Sequence, residues 1–345
     1  MILTQSILEP LCLGTAFLGS GGGGEPTIER RICETLFQRT AQVLVKDIED
    51  FSDDALIVPI AYIGPLVLQT ELPSLEPFRA VLNAVARDYS RPVSAVMPGE
   101  IGGGNALTPL IASLLSGIPL VDADLIGRAF PELSMSSVSV IPNDISVVAY
   151  LASPQGNVYR FSCASAQALE AACRQMCILE GTSLVMAIYP MTGAQAKKVG
   201  LRGAYRQALA LGKALQQKSP IEDFVPIGNG VIRDIQKTVE AGFLVGDFSV
   251  ESEETRYKVT FKNEYLAITN LLGQSVCGSP DIIAVLAQGL PVMVEHLQEG
   301  QKIQLGCYSA HPIWYTPEGL RVAGLRAQFI QKPIELSGQI EGYRE

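Results

Sequence analysis

Histidine is scarce in this chain: His296 and His311 are the only two among 345 residues. A lone histidine is more often structural than catalytic. A Ser/His/Asp triad has no G-x-S-x-G turn to support it. Arginine and lysine nowhere form a basic run, and the net charge is −9. A phosphate-backbone binder needs cationic contacts, so nucleic acid is not an expected partner. C-x-x-C is absent, and the seven cysteines are an odd number. Cys173 and Cys177 share a helix face at a spacing of four, but a zinc site needs further ligands nearby. The expectation is free, mostly buried thiols in a reducing cytosol, hence a cytoplasmic protein. Cys163, in Phe161–Ser165, lacks a neighbouring base and ranks as a buried thiol before a nucleophile. The opening MILTQSILEPLCLG lacks a basic region and carries Glu9, unlike a signal peptide. Residues 101–121 are uncharged, yet their glycines and prolines suit a loop, a buried helix and a strand better than a membrane span.

What is present is apolar: 48% of residues are hydrophobic and 18% charged. A chain of this length suggests about two domains, and the apolar content makes a homo-oligomer plausible. The first half alternates helix-like and strand-like segments. Helices are expected at 4–13, 26–40, 74–88 and 105–116, with strands at 43–45, 56–61, 93–97 and 119–123. Strands near 145–151, 158–162 and 183–189 enclose a helix at 166–179, and another helix covers 203–217. Short β-type runs follow at 231–239, 243–250, 257–261, 265–270, 282–286, 302–308 and 320–322. The prediction is a three-layer α/β domain with a largely parallel sheet over residues 1–220. A smaller all-β domain, barrel- or sandwich-like, is expected over 221–345.

Three segments could carry chemistry. In Gly19–Pro26, the residues Ser20, Gly21, Gly22, Gly23 and Gly24 allow close backbone approach to a ligand, or serve a tight turn. The run contains G-x-G-x-x-G with Asp47 downstream, but a helix rather than a strand precedes it, and no Gly-Lys-Ser/Thr follows. No nucleotide cofactor is expected. The segment Pro98–Asn105 places Glu100, Gly103, Gly104 and Asn105 at a strand end, as a second backbone nest. In Val121–Glu132, Asp122 and Asp124 share a side if the strand continues. They could hold a divalent metal or divide acid and base roles, with Arg128 and Glu132 beside them. The alternative is a buried Asp–Arg–Glu network that fixes a loop. In the β-rich part, Asn263 and Glu264 join two strand-like runs, and Ser279–Ile283 turns into a strand.

These segments together define a resemblance: L-G-x-G-G-G-G-x-P at 18–26, E-x-G-G-x-N at 100–105 and D-x-D-x-x-G-R-A-F-P-E at 122–132. Asn263-Glu264 before an apolar residue, S-P-D-I-I at 279–283 and W-x-T-x-x-G-L at 314–320 complete it. Over nearly its whole length the chain resembles the S-methyl thiohydantoin desulfurase domain family, whose genes lie beside those of hydantoinases and oxoprolinases. The resemblance implies an α/β domain followed by a smaller β domain. It also implies action on a five-membered cyclic ureide or thiohydantoin, releasing sulfur as thiol or sulfide. The expected site takes Asp122, Asp124, Arg128, Glu132 and Glu100 as catalytic groups. Ser20, Gly21–Gly24, Gly103, Gly104, Asn105, Asn263 and Glu264 are expected to bind ligand, and Asp122 and Asp124 to hold any metal. The alternative function is a non-catalytic partner of a hydantoinase-type enzyme.

Overall fold

The computed structural model describes residues 1–64, 74–240, 242–253, 255–329 and 338–343. The first part runs β1 (Ile2–Leu3), α1 (Leu8–Leu18), α2 (Thr27–Phe37), β2 (Val43–Lys46), β3 (Leu56–Ile63), α3 (Glu76–Asp88), β4 (Ala95–Pro98), α4 (Thr108–Ser116), β5 (Leu120–Val121), β6 (Ala123–Asp124) and α5 (Ser137–Val140). It continues through β7 (Val148–Ala152), β8 (Val158–Cys163), α6 (Ala166–Glu180), β9 (Leu184–Ile188), β10 (Met191–Thr192), α7 (Gly193–Val199), β11 (Leu201–Arg202) and α8 (Ala204–Gln217).

β3 is buried at seven of its eight positions, the mark of a strand covered on both faces. It runs parallel to β4, and β4 and β2 run parallel to β5. The antiparallel strands β9, β7 and β8 extend the same sheet beyond β3. Pro59 lies inside this central strand although it has no N–H to give the ladder. On that side β10 pairs with Leu56 and Ile57, β9 pairs with Ile60 to Ile63, and Val58 and Pro59 fall in the break between them. Two apolar cores cover the faces of the sheet. On one of them α1 and α8 cross so closely that a Cβ on Gly14 would lie 1.7 Å from the Ala208 carbonyl oxygen, and one on Gly212 would lie 1.6 Å from that of Pro10.

The second sheet consists of β12 (Val225–Glu240), β13 (Phe243–Glu251), β14 (Arg256–Lys262), β15 (Glu264–Asn270), β16 (Ser275–Gly278), β17 (Ile282–Ala287), β18 (Leu290–Pro291) and β19 (Lys302–Tyr308). Its order is β16-β15-β14-β13-β12-β19-β17-β18, every pairing is antiparallel, and it has its own core. The fold class is the expected one: an α/β domain and an all-β sheet.

Three expectations are corrected. Residues 320–322 are not a strand but lie in α9 (Pro317–Ala323); the Thr316 hydroxyl accepts from the Gly319 amide and Pro317 fills the first turn, a helix-starting arrangement. Not everything beyond 221 belongs to the β domain. Trp314, Val322 and Ala323 pack into the first domain's core, α10 (Leu325–Phe329) follows, and β20 (Gly338–Tyr343) pairs with β8. The cysteines are not all free: Cys277 and Cys307 form a disulfide, because β16 and β19 bring their Cα atoms to 6.3 Å. Cys12, Cys33, Cys163, Cys173 and Cys177 are free thiols. No described helix is long and apolar enough to cross a membrane, and residues 101–121 form loop, α4 and β5.

Candidate functional site

The parallel strands β3, β4 and β5 all end at one side of the sheet, where open α/β folds hold ligands. A cavity of about 260 Å³ lies there, lined by Tyr62 near the end of β3, Glu100 after β4, Leu125 and Ile126 after β6, and by Asn263, Glu264 and Glu295 of the β domain. The site is thus built at the junction of the two domains.

The first glycine loop makes that junction. The Ser20 hydroxyl donates to the Ile283 carbonyl (3.1 Å) and accepts from the Ile283 amide (3.0 Å), while the Tyr265 amide donates to the Ser20 carbonyl (2.7 Å). The Val294 amide donates to the Gly21 carbonyl (2.9 Å). Gly21 has φ +87, and a Cβ there would lie 2.5 Å from the Tyr265 ring, so only glycine fits. The second loop is stitched to the first: the amides of Gly104 and Asn105 donate to the carbonyls of Gly24 (2.7 Å) and Gly23 (3.1 Å). Gly103, at φ +60, lies against Gly23. Gly23, Gly24, Gly104 and Asn105 line the cavity, but these two amides of the second nest are already engaged. Ser20, Gly21, Gly22 and Gly103 do not line it.

Six side chains lining the cavity carry buried oxygens with no hydrogen-bond partner among the described residues: Glu29 Oε2, Tyr62 Oη, Ser136 Oγ, Tyr189 Oη, Glu264 Oε2 and Glu295 Oε2. A buried polar atom left unpaired is destabilising by about 1–3 kcal/mol, so such a concentration points to a place where another molecule supplies the partners. Glu29 and Glu264 are 2% and 3% exposed. Burial raises Glu29 to about 7. Glu100 rises to about 7, mainly by burial, although it accepts from Asn105 Nδ2 (2.7 Å) and the Phe130 amide (3.3 Å). Glu264 lies well above the ordinary carboxylate range, through burial first and the charge of Glu100 second; Arg128 opposes the shift.

The Asp122–Glu132 block divides its work. Asp124 is fully buried and accepts from the amides of Ile101 (2.9 Å) and Gly127 (2.7 Å). Burial lifts it to about 7. Asp122 faces elsewhere. Its amide continues the ladder to the Lys46 carbonyl, but the strand breaks there, and its carboxylate accepts from the Tyr205 and Arg206 amides at the start of α8 and pairs with the Arg206 guanidinium. The expected shared side is not found, because β6 leaves the main sheet to pair with β11. Neither aspartate lines the cavity. Among the described residues the one three-residue group with metal-ligand spacing is Cys277/Asp281/Cys307, and its two sulfurs are already joined in the disulfide. Arg128 is fully buried and donates to the carbonyls of Ala129, Pro280 and Asp281, with one amino group unpaired among the described residues. It clamps the two domains together. Glu132 lines the rim and pairs with Lys262 at 2.6 Å. Asn263, at φ +58, makes the tight β14–β15 turn by exchanging hydrogen bonds with Leu244, and so points the next residue, Glu264, inward. Asp47 pairs with Arg206 and caps a short turn, so it has no role at the glycine loop.

Sequence reasoning missed Glu29. A signal was present: the buried residues of α2 are Glu29, Ile32, Cys33, Leu36 and Phe37, a single helical stripe opened by a carboxylate. Tyr62, Tyr189 and Glu295 left no comparable mark.

Fold and site together define a two-domain protein with an acidic cleft at the domain junction. By sequence, family models match end to end: the S-Me-THD-like N-terminal domain at residues 6–162 and the S-Me-THD-like C-terminal domain at 164–329. The chain belongs to the S-Me-THD-like family. A crystal structure of a protein from Chromobacterium violaceum shares the fold, with a TM-score of 0.72 at 24% identity over 93% of this chain and 95% of that one. No curated protein matches.

Proposed function

We propose that the cleft hydrolyses the C–S bond of an S-methyl thiohydantoin or a related cyclic thioureide. One observation carries the reading: buried, unpartnered carboxyl and phenol oxygens converge on a cavity sized for one small ring. The reaction adds water to the ring carbon that bears sulfur. A C–O bond forms, the C–S bond breaks, one water proton goes to the ring nitrogen and the other to the departing thiolate. It therefore needs a base for the water and an acid for the nitrogen or the sulfur. Carboxyls lifted toward 7 suit both tasks near neutral pH. In this reading Glu29 and Glu264 handle protons, Glu100 orders the loop through Asn105 and Phe130, and Arg128 holds the β domain so that Glu264 faces the ring.

The test is release of thiol from S-methyl thiohydantoins or of sulfide from 2-thiohydantoins, with hydantoin formation followed in parallel, in the presence and absence of added divalent metal. Matched thiol and hydantoin support the reading. Loss of turnover on chelation adds a metal, with the cleft carboxylates as the first ligands to test. No release from any substrate rejects the hydrolase and favours a binding subunit of a hydantoinase-type enzyme.

A further inference from the structure

We propose that the cleft selects rings that carry positive charge, and that it binds its substrate as the nitrogen-protonated, amidinium-like cation. This rests on the hydrolase reading for the identity of the ring, but the charge selection stands on the lining itself. Glu29, Glu100 and Glu264 are buried carboxyls on its walls, and Glu295 adds a fourth at its edge. Two of the cations nearby are paired with acids and stacked on a ring. Arg174 pairs with Glu170 at 2.8 Å, Lys262 pairs with Glu132 at 2.6 Å, and both lie over the Phe243 ring. Arg128 spends its donors mainly on backbone carbonyls and does not line the cavity. His296 lines it from an exposed position.

Three amides of the glycine loops are spent as well. Those of Gly104 and Asn105 hold the other glycine loop, and that of Gly23 is directed at the Glu264 carboxylate. What remains open is acceptor-rich: Glu29 Oε2 and Glu264 Oε2, each on a side chain more than nine-tenths buried, with the Tyr62 hydroxyl near Glu29. Carboxylates facing a planar N–C–N group can each take an N–H in a charge-assisted bond. Protonation of the ring nitrogen also makes the sulfur-bearing carbon more electrophilic, so the binding preference and the chemistry point the same way.

The probe pair is 2-aminoimidazoline, a permanent cyclic guanidinium, and hydantoin-5-acetate, an anion on the same ring size. Isothermal titration of the full-length protein is expected to give at least tenfold tighter binding of the cation. Glu264→Gln and Glu29→Gln should each weaken it about tenfold while the melting temperature stays level or rises. Tighter binding of the anion, equal affinities, or no binding of the cation overturns the proposal. A second arm separates this claim from the hydrolase reading. Equal turnover of S-methyl thiohydantoins with acidic and basic ring substituents overturns charge selection and leaves the hydrolase intact. Cation binding without thiol release from any substrate does the reverse.

Discussion

Glu29 and Asp122 show how differently two buried carboxylates can be used. Glu29 ends with an oxygen that none of the described residues satisfies, whereas Asp122 is bonded at both oxygens to the start of α8. Glu29→Gln and Glu264→Gln are therefore expected to lower kcat by about 100-fold or more, the usual range for a proton-transfer group, with no loss of melting temperature. Asp122→Asn should do the opposite, lowering stability by about 1–2 kcal/mol through the weakened anion at a helix start and leaving the shape of the kcat–pH profile unchanged. Denaturant titration beside steady-state kinetics separates the two. The motif at 122–132 was legible as important, but its role was not. Spacing says that two aspartates can share a strand face; it cannot say that the strand breaks between them and hands one to α8. Glu100, Asn105 and Glu264 were legible at the cavity because each lies next to a glycine or a turn that has to sit at a strand end.

Glycine governs the contacts between elements at two kinds of place. At the α1–α8 crossing, Gly14→Ala or Gly212→Ala would push a methyl into a backbone carbonyl and force the helices apart. The expected loss is about 3 kcal/mol, the upper end for an overpacked core, read from urea unfolding. At the domain junction, Gly21→Ala combines a left-handed backbone with a clash on Tyr265. It should loosen the β domain and raise KM along with lowering stability. The helices and strands themselves were largely legible, since α3 and α8 are strongly amphipathic and β3 is a continuous apolar run. The segment at 320–322 was misread because Leu-Arg-Val alternates like a strand, while the hydroxyl cap that makes it a helix lies four residues earlier at Thr316.

For the whole molecule, acid should stabilise and mild alkali should not. Glu29 and Glu100 rise from 4.5 to about 7, and Asp124 from 3.8 to about 7. The folded state thus holds protons that the unfolded chain has released between about pH 4.5 and 7. Stability from these groups is complete below their unfolded values and is lost as pH rises through about 7. The melting temperature at pH 5.5 should exceed that at pH 8, and Glu29→Gln should flatten the difference. Asp47, Asp54 and Asp144 are shifted the other way, below 3.8, so the stability they lend is present above that value and is lost only in stronger acid. The domain count could be read from the change in texture near Val225. The return of the chain could not, because nothing local in Trp314 says that its partners are Ile126 and Phe130, nearly two hundred residues earlier.

That return has a bearing on how the protein is made. The indole of Trp314 donates to the Ile126 carbonyl and stacks edge-on against Phe130, so it braces the loop on which Glu132 and the cleft wall are carried. During synthesis, the ribosome must finish the entire eight-stranded sheet before this brace emerges. The α/β half therefore waits, with a gap in its core, while the other half is built, and the cleft is completed late in translation.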